Sequence, residues 1–569
     1  MEVQFDLPTW GAPDGCTVAF AGRLDSRADL AFGSSSDCDA ALAWNAWREG
    51  RLDRLLGDWV LAVWAPAEQR LWLARDPVGL RRLFYRRDGQ RVQLSTALRP
   101  LIRPADPWDQ TFLYRFLREL PLGDATPLKP IRLVPRGRLI EMTADQERVG
   151  APFWDPWVEG PLRLDRPEAY AEVFRSLFTT AVRDRLVDGG SVLGMTLSGG
   201  LDSGSVGTMA AHLMRTGRVP AVPIQPIFYD YQVAEAAEQT YLTANAVAMG
   251  VTPETIPAEP IIRATWTAPA VVGTDWPITN LMGWPIIREA VDRFRAAGVR
   301  TVLTGRGGDA LLAGYPESIL DELYAGRLRS ATQHLQSWAN AFHVGPLTLL
   351  RRLLAGRPWR ELATDPPDWF TAHPIGEELP LPVPPRWVSR AQRAAHTVFW
   401  SAPEEGGSEL ASLGIEERWP LLDRRLLALT FRIDRTLLES PTETKTLLRA
   451  AMRGILPEAV RLRQSKSLQT GLLVTWLQHQ RPFFEELLRS DLGAPFDFLR
   501  RETVTDQLRL AVQGQTTGLG LLVHLYALLV WMAEVKSEAH RRDLDAPDGR
   551  HHAGLSPALG SAGGGGYGV

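Results

Sequence analysis

Residues 198–203 read Ser-Gly-Gly-Leu-Asp-Ser, which combines residue types suited to holding a phosphate chain. Glycines let the backbone approach an anion closely, and free amide groups at a helix N-terminus point towards it. The hydroxyls of Ser198 and Ser203 add two donors. Asp202 would repel a bare phosphate, so its presence predicts an intervening Mg²⁺ ion. The predicted nucleotide-binding residues in this segment are Leu197, Ser198, Gly199, Gly200, Asp202 and Ser203.

A second acidic residue, Asp309, lies in the run Gly-Arg-Gly-Gly-Asp over residues 305–309. Like Asp202, it follows an apolar segment that is typical of a buried strand. The carboxyl ends of parallel strands meet at one edge of a sheet, where such ligands bind. Asp202 and Asp309 are therefore predicted to hold one Mg²⁺-pyrophosphate between them, with Gly305 and Gly307 beside the nucleotide.

The segments around these residues alternate between strand and helix patterns. Residues 192–197 form an apolar run typical of a buried strand, and the apolar residues of 206–214 recur at helical spacing. Further helices are predicted at 169–186 and 235–249, with a strand at 221–229 between them. Strands that alternate with helices imply a parallel sheet.

The first 150 residues or so show a different pattern, because short alternating strands separated by Gly, Pro and Asp turns dominate them. Residues 70–73 and 91–94 are two of these predicted strands. A proline-rich link follows, and after about residue 317 the chain is mostly helical. The glycine-rich end, residues 561–569, is expected to be disordered.

Several stretches together resemble the asparagine synthetase family of ATP pyrophosphatases. Residues 198–203 resemble its pyrophosphate loop, and residues 305–315 resemble its G-x-G-x-D-E-x-x-x-G-Y stretch, with Ala310 in place of the Glu. The other similar stretches, in the family's order, are residues 57–64, 74–85, 94–98, 153–154, 416–423, 444–451, 456–460 and 463–466. The resemblance extends over most of residues 16–475.

The resemblance implies an α/β fold with two domains. A glutaminase-type, Ntn-hydrolase-like αββα domain without activity is expected at residues 1–160. An ATP-pyrophosphatase synthetase domain, with a parallel sheet and helical additions, is expected at residues 168–545, and residues 546–569 are predicted to be a flexible tail. The implied reaction consumes ATP with Mg²⁺ as cofactor, forms an amide, and releases AMP and pyrophosphate.

The N-terminal part departs from glutamine-dependent members of the family, which need a cysteine directly after the initiator Met. Glu2 stands at that position, and a carboxylate cannot form a thioester from glutamine. Cys16 and Cys38 lie inside the chain and cannot expose an α-amine. We therefore expect this domain to keep its fold without glutaminase activity, and we expect the amine to come from the substrate.

Two branches of the family resemble this arrangement, β-lactam synthetases and lasso peptide cyclases. Both adenylate a carboxylate that an amine of the same molecule then attacks. Arg306 separates them, because the β-lactam branch carries at that position a Tyr that pairs with a catalytic Glu. A guanidinium stays protonated and is no base, but it can bind a phosphate or a carboxylate bidentately. The free α-amine of a peptide has a pKa of about 7.7–8.0 and is therefore partly neutral already. It can attack without a catalytic base, whereas closure of a β-lactam ring needs one.

Arg306 therefore favours a lasso peptide cyclase that closes a macrolactam. The alternative is a small-molecule amide synthetase, either of the β-lactam type or an ammonia-dependent asparagine synthetase. A binding protein that keeps the fold without catalysis is a third hypothesis. The implied partners of a cyclase are a ribosomal precursor or core peptide, a leader-recognition protein and a leader peptidase.

The resemblance assigns further catalytic roles beside that of Arg306. Lys445 and Lys466 match family lysines that stabilise phosphate charge. Glu404, or its neighbour Glu405, lies at the spacing where the β-lactam branch carries its catalytic Glu, and it is predicted to accept a proton or to anchor the peptide amine.

Composition narrows the class of protein. The 569-residue chain has 45% hydrophobic and 23% charged residues, as soluble globular proteins do. A formal net charge of −3 gives no general case for nucleic-acid binding. Two cysteines and the lack of a signal-peptide pattern favour the cytoplasm. No apolar run of about 18 residues occurs, so no membrane span is predicted, and residues 521–531 are interpreted as a buried helix.

Overall fold

The structure is a computed structural model of the chain. It describes residues 1–25, 27, 38–187, 190–231, 236–312, 314–356, 369–370, 384–406, 409–440, 443–464, 470–516 and 518–545. The predicted flexible tail at 546–569, with its glycine-rich end, lies outside the described residues, and so does Lys466. The expectations for these residues stay predictions.

In the described residues, the N-terminal domain consists of two sheets and two α-helices. Its strands are β1 (Glu2–Asp6), β2 (Thr9–Gly11), β3 (Thr17–Asp25), β4 (Leu56–Ala65), β5 (Arg70–Arg75), β6 (Phe84–Asp88), β7 (Arg91–Ser95), β8 (Ile131–Leu133), β9 (Arg138–Met142) and β10 (Glu147–Pro152), and its helices are α1 (Asp39–Arg48) and α2 (Gln110–Leu117). One sheet has the strand order β1-β7-β6-β8, and the other has the order β10-β9-β5-β4-β3-β2.

The two sheets face each other, and a helix covers each outer face. Val60 and Leu94 are buried between the sheets, because alternate residues of a strand point to the same face. Helix α1 packs its Trp44 against the outer face of β3 and β4. Phe112 of α2 lies in one core cluster with Phe84 of β6. This order of layers confirms the predicted αββα domain.

The second domain is built on a five-stranded parallel sheet. Its strands, β11 (Leu193–Thr196), β12 (Ile224–Asp230), β13 (Glu254–Pro257), β14 (Thr301–Leu303) and β15 (Glu416–Arg418), take the order β13-β12-β11-β14-β15. Every pairing among them is parallel. Helix α3 (Pro167–Leu186) precedes the sheet. The helices that connect its first four strands are α4 (Leu201–Arg215), α5 (Ala236–Met249), α6 (Ala258–Ala264) and α7 (Trp284–Ala296). Because β11 and β14 are neighbours, the loops that follow them lie side by side.

Helices dominate the rest of the domain, as predicted. They are α8 (Gly308–Leu312), α9 (Ser318–Tyr324), α10 (Leu328–Phe342), α11 (Pro346–Leu354), α12 (Arg390–Gly406), α13 (Glu409–Ser412), α14 (Arg424–Arg432), α15 (Thr446–Ala451), α16 (Glu458–Arg461), α17 (Thr470–Arg489), α18 (Arg501–Val512) and α19 (Leu519–Asp545). Two short strands, β16 (Glu439–Ser440) and β17 (Glu443–Thr444), pair antiparallel just before α15.

Within the part of the chain that the structure describes, α19 contains the one stretch long and apolar enough to cross a membrane, Leu519–Arg541. In its most apolar window, 67% of the residues are buried inside the protein. Tyr526, Leu529 and Trp531 are fully buried there. Such burial is typical of a core helix, in agreement with the interpretation of residues 521–531.

Buried ion pairs around Arg185 join the two domains. Arg185, near the end of α3, is 2% exposed, and its Nη1 lies 2.7 Å from Asp423 Oδ2 and 3.5 Å from Asp25 Oδ2 of β3. Burial by itself would raise the pKa of Asp423, but Arg425 and Arg185 outweigh burial and hold this pKa well below its usual value. The N-terminal domain is thus tied to the synthetase domain through charges that have no access to water.

Candidate active site

The loop between β11 and α4 brings two serine hydroxyls to the first turn of a helix. Ser198 Oγ and Ser203 Oγ lie 2.8 Å apart, and the Gly200 amide donates to Ser198 Oγ at 3.1 Å. Gly200 is the N-cap of α4, and no side chain among the described residues caps this helix end. The first turn therefore keeps amide donors for an anion.

Side chains from α5 and from the segment after α16 hold this loop in shape. Asn245, which is fully buried, donates from Nδ2 to the Ser198 carbonyl oxygen at 3.0 Å. Glu238 accepts the Gly199 amide at 3.0 Å and pairs with Arg463 at 2.5 Å. Arg463 also donates to the Gly199 carbonyl oxygen at 3.0 Å. The protein itself thus fixes the backbone path of the loop.

Lys445 links the two predicted metal ligands. Its Nζ lies 2.5 Å from Asp202 Oδ2 and 2.6 Å from Asp309 Oδ1. Burial opposes the lysine charge, but the two carboxylates outweigh burial and raise the pKa of Lys445 above its usual value. The residue is the N-cap of α15 and has a left-handed backbone with φ of 56°. Such conformations cost about 1–3 kcal/mol and cluster at functional sites.

Glycines allow the second loop to touch the first. A Cβ on Gly305 would lie 2.4 Å from Ser203 N and 2.7 Å from the Asp202 carbonyl carbon. A Cβ on Gly308 would lie 2.6 Å from Asp202 Cγ. Gly307 has φ of +86°, which favours glycine. The glycines of this stretch are therefore required for the close approach of the two loops.

Arg306 lies between two buried glutamates. Its guanidinium makes a close ion pair with Glu409, and its Nε lies 3.6 Å from Glu417 Oε1. The side chains of Glu409 and Glu417 are 4% and 7% exposed, and that of Arg306 is 34% exposed. Burial raises the pKa of Glu417 although Arg306 opposes the shift. Two carboxylates share one cation, so the cluster carries excess negative charge.

Comparison with known proteins agrees with this geometry. Residues 173–533, well over half of the chain, match the asparagine synthase family. The chain belongs to the asparagine synthase family. Residues 20–103 match a glutamine amidotransferase domain, which confirms the glutaminase type of the N-terminal domain. Membership of this family supports an ATP-dependent amide-forming ligase.

Three relatives show how the similarity is distributed. Amidase chry2 of Gibberella zeae is 24% identical over 321 residues, and amidase chyE of Penicillium rubens is 27% identical over 310 residues. Each alignment covers 52% of this chain and 45% of the amidase, so the chain spans less than half the length of these two relatives. Glutamine-hydrolyzing asparagine synthetase 3 of Bacillus subtilis is 23% identical over 589 residues, which is 94% of this chain and 88% of that protein.

The family's use of ATP makes a Mg²⁺ site relevant, and Asp202 and Asp309 suit it. Mg²⁺ commonly takes one or two carboxylates and completes its shell with substrate phosphates and water. These two carboxylates already hold a cation, the Lys445 ammonium, between them. When bound there, Mg²⁺ would neutralise charge on the leaving pyrophosphate.

Cys16 of the N-terminal domain is a poor nucleophile. Burial, together with the neighbouring Asp14 carboxylate, raises the pKa of Cys16 to about 11. Very little of this thiol is then thiolate at neutral pH. Cys38 is exposed at the N-cap of α1. The absence of glutaminase activity stays a prediction.

Apart from Arg306, which pairs with Glu409 and Glu417, the predicted site residues fall into three groups. The loop residues from Leu197 to Ser203, with Asp309, Gly305, Gly307 and Lys445, come together at the carboxyl edge of β11 and β14. Lys466 lies outside the described residues, so its role stays a prediction. Glu404 belongs to α12, but its side chain is not among those that the structure describes, and the same holds for Glu405.

Glu409 and Glu417 were not predicted from the sequence as partners of Arg306. Glu417 stands at a variable position of the family stretch that residues 416–423 resemble, so the resemblance assigned it no role. The pairing of β14 with β15 places Glu417 opposite Val302, and β14 leads directly to the loop that contains Arg306. Arg306 and Glu409 are 103 positions apart, so no local pattern in the sequence pointed to this pairing.

Replacing Gly305 by alanine is expected to weaken Mg²⁺-ATP binding at least about tenfold, because displacements near 1 Å at such sites carry effects of that size or more. The new Cβ would displace the backbone of α4, since the atoms it meets belong to the main chain. Isothermal titration calorimetry measures the effect. Gly520→Ala in α19 is the control, because a Cβ there meets nothing within 4 Å. Equal ATP affinity in the two variants would contradict the prediction.

Replacing Arg306 by glutamine is expected to lower the free energy of unfolding by about 1–3 kcal/mol at pH 8. Without the guanidinium, Glu409 and Glu417 repel each other in a buried place, and one of them binds a proton more tightly in the folded state. An acid with a raised folded pKa stabilises the fold below its unfolded pKa, and this contribution is lost as pH rises through the folded pKa. The loss should therefore be smaller at pH 5.

Urea denaturation of wild type and variant at both pH values measures this difference. The double variant Arg306→Gln with Glu417→Gln removes the repulsion and should recover most of the loss at pH 8. A loss of the same size at pH 5 and pH 8 would show that repulsion between the glutamates is not its cause.

Proposed function

We propose that the protein is an ATP-dependent ligase that activates a carboxylate as an acyl-adenylate and joins it to an amine. The observation that carries this proposal is the position of Lys445 between Asp202 and Asp309, directly beside the amide donors of α4. Carboxylates for a divalent cation, a lysine for phosphate charge and an anion-binding helix end are the groups that cleavage of ATP to AMP and pyrophosphate requires.

In the first step a substrate carboxylate oxygen attacks the α-phosphorus of ATP. The bond from that phosphorus to the bridging oxygen breaks, and pyrophosphate leaves. The first turn of α4 and the hydroxyls of Ser198 and Ser203 hold the phosphates, and the Lys445 ammonium stabilises the charge that develops on the leaving oxygen. In the second step an amine nitrogen attacks the acyl carbonyl carbon, AMP leaves, and the nitrogen gives up one proton.

We further propose that the amine and the carboxylate belong to one peptide. In this reaction the side chain of a Glu or Asp in a leader-free core peptide is adenylated, and the N-terminal amine closes a macrolactam, as in lasso peptide cyclases. Two observations support it. Arg306, a cation held by Glu409 and Glu417, stands where the β-lactam branch carries the Tyr of its catalytic pair. A substrate amine that is partly neutral at pH 7 does not need such a proton acceptor. The raised pKa of Cys16 gives no support to ammonia supply by this thiol.

The same proposal assigns roles and partners that follow from a peptide substrate. The exposed part of the Arg306 guanidinium would bind a carboxylate of the peptide. Lys466 and Glu404 would act on phosphate charge and on the peptide amine. A precursor peptide, a leader-recognition protein and a leader peptidase would be the partners, and a cytoplasmic location would fit them.

Mass spectrometry of a candidate peptide tests the proposal. A leader-free peptide from an open reading frame beside this gene is incubated with the protein, ATP and Mg²⁺. Loss of one water from the peptide with formation of AMP is expected, and Asp202→Ala should show neither. Asp506→Ala, whose carboxylate is 66% exposed in α18, is a matched control that should retain activity.

The outcomes separate the two levels of the proposal. AMP release with aspartate or a β-amino acid, without dehydration of any peptide, would place the protein among small-molecule amide synthetases. No AMP from any substrate, together with no Mg²⁺-ATP binding, would overturn the ligase proposal itself.

A further inference from the structure

A cavity of about 1340 Å³ lies between α3, the C-terminal end of α4 and α15. Its volume exceeds the range of about 300–1,000 Å³ that is usual for small-molecule sites. The exposed side chains of Pro167 and Ala450 and the partly buried side chain of Leu437 form an apolar part of its wall. A cavity of this size with an apolar wall suits a segment of polypeptide.

The charged side chains around the cavity are mostly basic. Of the residues that the structure describes, five arginines and two glutamates line it. Arg175 is used structurally, since it donates to the carbonyl oxygens of Ala451 and Arg453 at 2.5 and 2.6 Å. The guanidinium groups of Arg218 and Arg453 are exposed and make no ion pair or hydrogen bond within the described part of the chain. They are available to carboxylates, which arginine binds bidentately.

Basic side chains also surround His212, which precedes the cavity residue Leu213 on α4. The pKa of His212, near the end of α4, is lowered by burial and by the charges of Arg215, Arg218 and Arg175. Two of these three arginines, Arg175 and Arg218, also line the cavity, so part of this positive field falls on it. A partner that is rich in carboxylates would gain from this field, and the gain would fall with added salt.

The cavity also touches the two helices that carry the nucleotide site. α4 begins with Asp202 in its first turn, and its far end supplies Leu213 to the cavity. α15 has Lys445 as its N-cap and supplies Leu447 and Ala450. A ligand in the cavity therefore contacts both helices that position Asp202 and Lys445.

We propose that this cavity is a docking site for an acidic peptide segment of a partner protein, with leucine-like side chains against the apolar wall and carboxylates on Arg218 and Arg453. Binding there is coupled to the nucleotide site through α4 and α15. The site does not depend on which substrate the protein uses, so it can be tested without catalysis.

Fluorescence anisotropy with a fluorescein-labelled peptide of alternating glutamate and leucine tests the docking site. The wild-type protein is expected to bind it and not the matched peptide of alternating lysine and leucine. The double variant Arg218→Glu with Arg453→Glu should bind about tenfold more weakly, since each substitution turns an attraction to a glutamate of the peptide into a repulsion. The milder Arg453→Gln should show a smaller loss in the same direction.

The matched control is Arg329→Glu with Arg351→Glu, which makes the same change of charge at exposed arginines of α10 and α11. Its affinity should stay within about twofold of wild type. Equal binding by the cavity variant and the control variant would overturn the proposal. Displacement of the peptide by inorganic tripolyphosphate at lower concentration than by unlabelled peptide would instead assign the cavity to a phosphate ligand and overturn it too.

The coupling has its own measurement. Saturating peptide should change the Kd of Mg²⁺-ATP at least about threefold in the wild type, and the nucleotide should change the peptide Kd by the same factor. The cavity variant should bind Mg²⁺-ATP normally and show no change. Peptide binding without any change of nucleotide affinity would overturn the coupling.

Discussion

Replacing Lys445 by methionine is expected to lower kcat/KM of the ATP-dependent reaction by about 10²–10³-fold, the usual effect of removing one charge-stabilising donor from an active site. The Nζ of Lys445 contacts both Asp202 and Asp309, so its loss leaves two neighbouring carboxylates without a shared cation. Phosphates would then approach a more negative site. Release of AMP under saturating and limiting ATP measures kcat and KM separately.

Two further variants make this test specific. Lys445→Arg keeps the charge and should retain part of the activity, whereas Lys536→Met removes an exposed lysine of α19 and should retain all of it. Because the carboxylates raise the pKa of Lys445, its charge persists up to and beyond the usual lysine range. The activity profile between pH 6 and 9 should therefore show no ionisation of Lys445. Full activity of Lys445→Met would remove this residue from the mechanism.

Replacing Arg185 by methionine is expected to lower the free energy of unfolding by about 3–5 kcal/mol, the usual cost of removing one partner from a buried ion pair. Arg185 lies between Asp25 of the N-terminal domain and Asp423 of the synthetase domain, and all three side chains are at most 3% exposed. Without the guanidinium, two buried carboxylates lose a shared counter-ion. Chemical denaturation, followed by tryptophan fluorescence, measures the change.

The pH dependence of this effect has a definite sign. Asp423 has a lowered pKa in the folded protein, so its pairing contributes stability above the unfolded Asp pKa of about 3.9, and that contribution is lost as pH falls through the folded value. The difference between wild type and Arg185→Met should therefore be full at pH 7 and should shrink below about pH 4.

The control for Arg185 lies on the same helix. Arg183 pairs with Asp184 at 2.8 Å, but its side chain is 46% exposed. Arg183→Met should change stability by less than about 1 kcal/mol, as surface ion pairs usually do. A similar cost for the two substitutions would mean that burial of the Arg185 pairs does not determine their contribution.

The phosphate loop could be predicted from the sequence because its parts are contiguous. Strand β11, the Ser-Gly-Gly turn and helix α4 follow one another, and each has a local pattern of its own. The helix 235–249 was predicted within one residue of α5, since Gly250, with φ of 73°, ends it in the conformation that glycine favours. The strand 221–229 was less well placed, as β12 begins at Ile224.

The tertiary structure decided which charges meet. Lys445 and Asp202 are 243 positions apart, and Arg306 and Glu409 are 103 apart. No periodicity of the chain encodes such contacts, because they depend on how the loops and helices pack at the sheet edge. The same holds for Arg185 and Asp423, which are 238 positions apart.

The sequence by itself thus determined the family resemblance, the order of the domains and the loop that can hold phosphates, since each rests on local patterns of residue type and spacing. Only the tertiary structure placed Lys445 between the two aspartates, surrounded Arg306 with Glu409 and Glu417, and formed the basic cavity beside α15. Ion pairs and cavities arise between elements that are distant in the chain, and the close approach of the two loops at Gly305 is likewise a property of the packed fold.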